Sequence, residues 1–168
     1  MKYLHKIVLV ISILVFMSGC AGQYGPKALE SEKSVENIIN LDGKTKDVIY
    51  INANAWFVDN LNSAESVIQF QDKEAGKIVG KYTADIQETM YIFRVKSTLS
   101  IDIKDNKAMV RIYDPMVAVV GDKFNGQYNV VPSYSSDIPS PVMDKAKLGW
   151  LKLLTDLKAN LGKMSTDW

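Results

Sequence analysis

From Tyr91 to Lys104 the chain alternates almost residue by residue: Tyr91, Phe93, Val95, Leu99, Ile101 and Ile103 are interleaved with Arg94, Lys96, Thr98, Ser100, Asp102 and Lys104. A period of two over fourteen residues specifies a strand with one apolar face and one polar face, which needs something to cover the apolar side. At about 3.4 Å per residue the strand is longer than most, so it is expected to bend.

The neighbouring segments supply the rest of such a sheet. SVIQFQD and KIVGKYTAD flank KEAG, where Gly76 can take the positive φ of a tight hairpin. Asp105-Asn106 marks a turn, AMVRIYD alternates again, and Pro115 interrupts the ladder before MVAVV resumes it at an edge. Upstream, SVENIINLDG reads as a strand through Val35, Ile39 and Leu41. KTKDVIYINANAWFVDNL places Val48, Ile51, Ala55 and Val58 on one helical stripe, widened by Trp56 and bounded by Gly43 and Asn62-Ser63. Near the C-terminus Ala146, Trp150, Leu153, Leu157 and Leu161 trace one face of a closing helix. The order is strand, helix, four strands, helix. It predicts an α+β, two-layer domain, with an antiparallel sheet of about five strands backed by two helices. Nothing repeats at a fixed period, and no second domain is expected.

The N-terminus has a different character. MKYLHK, the apolar run at residues 7–17 and then Ser18-Gly19 have the layout of a secretory signal peptide. A run this short falls well below the roughly 20 apolar residues that cross a bilayer. Met17-Ser18-Gly19-Cys20 resembles the bacterial lipobox, in which the cysteine is lipidated and the chain is cut just before it. Cys20 is the single cysteine of the chain. Its alternatives are a buried thiol or half of an intermolecular disulfide, and its position behind the apolar run favours lipidation. The expected division is residues 1–19 as signal peptide, residues 20–33 as lipidated cysteine and flexible tether, and residues 34–168 as one α+β domain.

Removing residues 1–19 takes away Lys2, Lys6 and the single histidine, His5, leaving 18 basic against 19 acidic side chains in 149 residues. A near-neutral chain without a basic run argues against nucleic-acid binding. Without imidazole or a free thiol, Cys/His zinc sites and Ser-His or Cys-His catalysis are excluded. No catalytic residue, metal ligand or cofactor is expected. Asp72 with Glu74 reads as a hairpin tip, and Asp102 with Asp105 as polar strand face and turn, rather than as cation ligands. Trp56 and Trp150 read as core aromatics rather than a carbohydrate platform.

The segment 121–141 is long for a structureless loop and carries Phe124, Tyr128 and Tyr134. Recognition of a partner and simple coverage of the sheet edge both remain open for it.

Lys46-Asp47-Val48-Ile49-Tyr50, Trp56, Val67-Ile68-Gln69 and Asp72-Lys73-Glu74-Ala75-Gly76-Lys77-Ile78-Val79-Gly80-Lys81 together resemble a bacterial lipoprotein family, a domain of unknown function with a TATA-box-binding-protein-like (TBP-like) fold. The resemblance covers about residues 34–115. It implies a curved antiparallel sheet backed by two helices, in the order β-α-β-β-β-β-α, and no chemistry.

The functional expectation is an extracytoplasmic lipoprotein of the bacterial cell envelope, held to the membrane by the lipid on Cys20. Ala21 after the cysteine favours the outer over the inner membrane. Its role is expected to be binding or envelope assembly, with an envelope protein or small ligand as partner and Phe124, Tyr128 and Tyr134 as the binding loop. The alternatives are an envelope enzyme using carboxylates or tyrosine, and a purely structural component. An enzyme should bring acidic or tyrosyl groups together, and a binding module should show a concave apolar patch.

Overall fold

The computed structural model describes residues 24–61, 68–128 and 131–163. Its strands are β1 (Val35–Asn40), β2 (Ile68–Asp72), β3 (Lys77–Glu88), β4 (Tyr91–Lys104), β5 (Lys107–Asp122) and the two-residue β6 (Gly126–Gln127). The helices are α1 (Lys46–Asn60), between β1 and β2, and α2 (Ser140–Leu161), after β6. The sheet is antiparallel throughout, in the order β1-β5-β4-β3-β2, with β6 added to the end of β5. This is the expected α+β, two-layer arrangement with a curved sheet. The small β6 is the one strand not read from the sequence.

β4 is the spine, paired along its length with β3 and β5. Phe93, Val95, Leu99, Ile101 and Ile103 face the helices and are buried. The expected bend has a local cause. The register between β4 and β5 slips between Lys96↔Met116 and Thr98↔Tyr113, so β5 carries one extra residue at Asp114-Pro115. Asp114 absorbs it at φ +49. β1 pairs only with residues 107–112 of β5, so Pro115, which has no N–H, lies beyond that ladder. In the β2–β3 turn, Gly76 has φ +66, and a Cβ there would collide with the carbonyl oxygen of Ile103.

α1 begins where Thr45 Oγ1 accepts from Val48 N at 3.4 Å and Asp105 Oδ1 accepts from Lys46 N at 2.7 Å. Asp105 therefore does serve a turn, and it also fastens that turn to the helix. The stripe expected for α1 is corrected. Ile49, Tyr50, Ala53, Trp56 and Phe57 are buried, whereas Ile51 is 58% and Val58 63% exposed. The helix is apolar nearly all round, so its period alone does not select a face; the large adjacent pair Trp56-Phe57 does. Asn62-Ser63, the expected boundary, lie outside the described residues. α2 buries Ala146, Trp150, Leu153, Leu157 and Leu161 as expected. The two helices are locked together where Trp56 Nε1 donates to Asp156 Oδ2 at 2.5 Å and Asn52 Nδ2 donates to the carbonyl of Leu161 at 3.2 Å.

The free tether is also corrected for residues 24–33. The Tyr24 ring stands edge-on to Tyr91 and Phe93, with centroids 5.2 and 5.3 Å away. Ala28 is buried, its N–H donates to the Ile138 carbonyl at 2.8 Å, and Ser140 N donates to the Pro26 carbonyl at 2.8 Å. Lys33, largely enclosed, donates to Glu30 and to the Ser136 carbonyl. A segment without apolar period docks here because backbone hydrogen bonds and two well-placed side chains suffice.

Candidate functional site

The face of the sheet opposite the helices carries the alternate side chains of β3, β4 and β5. Cross-strand neighbours there are Val79, Ser100 and Arg111 in one row, Lys77, Asp102 and Met109 in the next, and Lys81, Thr98 and Tyr113 in a third. Glu36 of β1 stands opposite Arg111. This face is polar and charged, not the apolar patch expected of a binding module.

Its charges are largely spent on one another. Asp102 accepts from Arg111 Nη2 at 2.7 Å and lies 3.1 Å from Lys77 Nζ. Partial burial pushes the Asp102 carboxyl up, but the hydrogen bonds and charges of Arg111 and Lys77 outweigh it and hold the group below the usual range. Arg94 grips Asp85 with two bonds of 2.6 and 2.7 Å. Lys81 Nζ donates to the neutral Thr98 hydroxyl at 2.6 Å. Ser100 is only 1% exposed although no helix among the described residues covers it. Among the described residues its Oγ, and Arg111 Nε beside it, are enclosed without a hydrogen-bond partner.

The three aromatics proposed as one binding loop are placed apart. Phe124 projects from the turn between β5 and β6 and is 74% exposed. Tyr128 is tied inward, its hydroxyl donating to Asp122 Oδ2 at 3.0 Å and its N–H to the Val120 carbonyl at 2.7 Å. Tyr134 lies at the other end of this edge, its ring centroid 4.4 Å from Lys96 Nζ, next to Ser135, which pairs with Val117. Coverage of the sheet edge therefore accounts for Ser135 and its neighbours, while Phe124 stands free of it. Cys20 lies outside the described residues.

Asp122 organises the turn. Its Oδ1 accepts from Phe124 N and Asn125 N, both at 2.8 Å, and Oδ2 accepts from Asn125 Nδ2 at 2.9 Å as well as from Tyr128. Hydrogen bonds from the Asn125 side chain and backbone, then from Phe124 N and Tyr128, lower its carboxyl to about 2 against the opposing effect of burial. The same bond raises the Tyr128 phenol. Sequence reasoning missed Asp122 because its partners, two main-chain N–H groups and the Asn125 and Tyr128 side chains, are gathered only by the fold of the turn; the signal it did leave is the polar turn Asp-Lys-Phe-Asn-Gly.

A cleft of about 390 Å³ opens beside the β5 irregularity, lined by Glu30, Lys33, Tyr113, Asp114, Met116 and Ser136. Asp72 and Glu74 do form a hairpin tip, with Asp72 Oδ1 accepting from Ala75 N at 2.9 Å. Trp56 and Trp150 are buried in the core. Among the described residues no three His, Cys, Asp or Glu side chains come together as a metal site, and no helix is long and apolar enough to cross a membrane.

Residues 36–117 match the model of a domain of unknown function (DUF4468) with TBP-like fold. Those residues belong to that family. A crystal structure of a DUF4468 family protein from Bacteroides ovatus aligns with a TM-score of 0.60 at 12% identity, over 84% of this chain and 94% of that one. A TBP-like protein from Parabacteroides distasonis aligns with a TM-score of 0.66 at 12% identity, over 83% of this chain and 99% of that one. Identities this low speak for the fold alone. No curated protein matches the chain. The DUF4468 match ends at residue 117, just beyond the β5 irregularity, whereas the TBP-like architecture includes α2 as well.

Proposed function

We propose that this DUF4468 chain is a lipid-anchored, extracytoplasmic lipoprotein of the bacterial envelope that works as a binding or assembly module and not as an enzyme. The lipobox at residues 17–20 supports the anchorage. The observation that supports binding is the row Ser100-Arg111 on the open sheet face. There an enclosed hydroxyl and an enclosed guanidinium nitrogen belong to cross-strand neighbours and have hydrogen bonds unmade, and a polar group that parts the side chains over the row gains them. Lys81, whose hydrogen-bond partner here is a neutral hydroxyl, adds positive charge to the neighbouring row.

The test uses the full chain in living cells, with a photo-crosslinking residue at position 81 on the open face or at position 148 on the outer side of α2. A discrete adduct from position 81, lost in Arg111→Ala and absent from position 148, is expected. Equal adducts from both positions, or an adduct indifferent to Arg111, reject the open face as the site. Labelled fatty acid should enter the wild-type chain and not Cys20→Ser; an unlabelled wild type rejects the anchor.

A further inference from the structure

We propose that the end of the domain formed by the β3–β4 turn and the β5–β6 turn is a bilayer-contacting tip, with Phe124 and Met90 entering the headgroup region of a phospholipid membrane and Lys123 at its polar level. The proposal rests on the lipidation of Cys20 proposed above.

The first argument is chain length. Tyr24 is already fixed to the domain by its edge-on contacts with Tyr91 and Phe93. Three residues, 21–23, separate it from Cys20. Four Cα-to-Cα steps reach no more than about 15 Å. The bilayer therefore lies close to whichever surface surrounds Tyr24, in place of the distant membrane that a tether through residue 33 would allow.

The second argument is what that surface carries. Tyr91 pairs with Asp122 across β4 and β5, so Tyr24 sits at the same end as both turns. Lys123 N donates to the Met90 carbonyl at 2.8 Å, joining the turns into one tip. Phe124 is 74% and Met90 43% exposed, and Lys123 Nζ lies 5.1 Å from the Phe124 ring centroid. The turn does not need an aromatic side chain at 124: Asp122 holds it through the backbone N–H groups of Phe124 and Asn125. An exposed Phe beside an exposed Met, with a long cationic side chain over the ring, is the composition that partitions into a membrane interface, where aromatics sit at headgroup depth and lysines reach outward. A second contact of this kind also adds to the hold of an acyl anchor.

The test uses the full-length acylated chain in vesicles of phosphatidylethanolamine and phosphatidylglycerol. Acylation blocks Cys20, so Phe124→Cys, Met90→Cys or Lys107→Cys each provides one thiol for a nitroxide label, with Lys107 at the far end of β4 and β5. Labels at 124 and 90 should be open to oxygen and shielded from a water-soluble nickel chelate. The label at 107 should show the reverse. If the protein floats with the vesicles but the label at 124 reads like that at 107, the tip is wrong and the anchor stands. A label at 124 shielded from both reagents means that a protein, either a partner or a second copy, covers the tip, and this also overturns the proposal. If thiol reagents label wild-type Cys20 and the protein stays off the vesicles, the lipidation reading fails and takes the tip with it.

Discussion

On the helix-covered face of the sheet, the middle of β4 presents Leu99 and Ile101 at 0% exposure; on the opposite face the same stretch presents Thr98, Ser100 and Asp102. Ser100 is as enclosed as its apolar neighbours, yet among the described residues no second layer lies over it. The two faces exclude water by different means. Beneath the helices, side chains interdigitate and the gain scales with apolar area removed from water. On the open face, Arg111 and Lys77 reach to Asp102, and the methylene stems of such long side chains are able to shield short neighbours while the charged ends pair. A face without a covering layer can thus still be shut, and it is shut by charges that a competing ligand could redirect.

This contrast sets the order of mutational effects. Leu99→Ala removes packing that nothing can refill, and it should cost about 3 kcal/mol, read as a lower midpoint in urea unfolding with little change in slope. An effect near zero would mean that the helix layer is loosely packed.

Asp122, at the rim between the faces, should show itself in the pH dependence. Its folded-state value near 2 lies below the ordinary 3.8, so its contribution is present above about pH 4 and is lost as pH falls towards 2. Asp122→Asn should flatten the stability curve in that window, as acid titrations monitored by circular dichroism would reveal.

The smallest effect belongs to the open face proper. Asp102→Asn weakens a half-exposed ionic cluster and should cost less than about 1 kcal/mol, shrinking further in high salt. A cost as large as that of Leu99→Ala would erase the distinction between the faces.

How much of this was legible in the sequence depended on whether one physical signal dominated. β4 was readable to its end residues because each of its faces keeps one chemical character apart from Ile92 and Ser97, and α2 because its buried residues fall on a single stripe. α1 misled because Ile49, Ile51, Phe57 and Val58 point in different directions and only tertiary contact chooses among them. The docking of residues 24–33 left almost no pattern, since it runs through main-chain bonds and the isolated side chains Tyr24 and Ala28. The three aromatics of segment 121–141 were visible, but their dispersal was not: it follows from where β5 ends and where Ser135 rejoins it, which are pairing events distant in sequence.

The docked segment also has a mechanical meaning. A pull on the chain ahead of Tyr24 would first draw that ring away from Tyr91 and Phe93, then load the bonds from Ala28 to Ile138 and from Ser140 to Pro26. Two main-chain bonds, helped by the Lys27 and Lys33 side chains on Asp137 and the Ser136 carbonyl, offer far less resistance to tension than the ladders of β3, β4 and β5. The chain therefore has a built-in sacrificial link: under tension it would lengthen by the ten residues 24–33 while the sheet and both helices stayed intact.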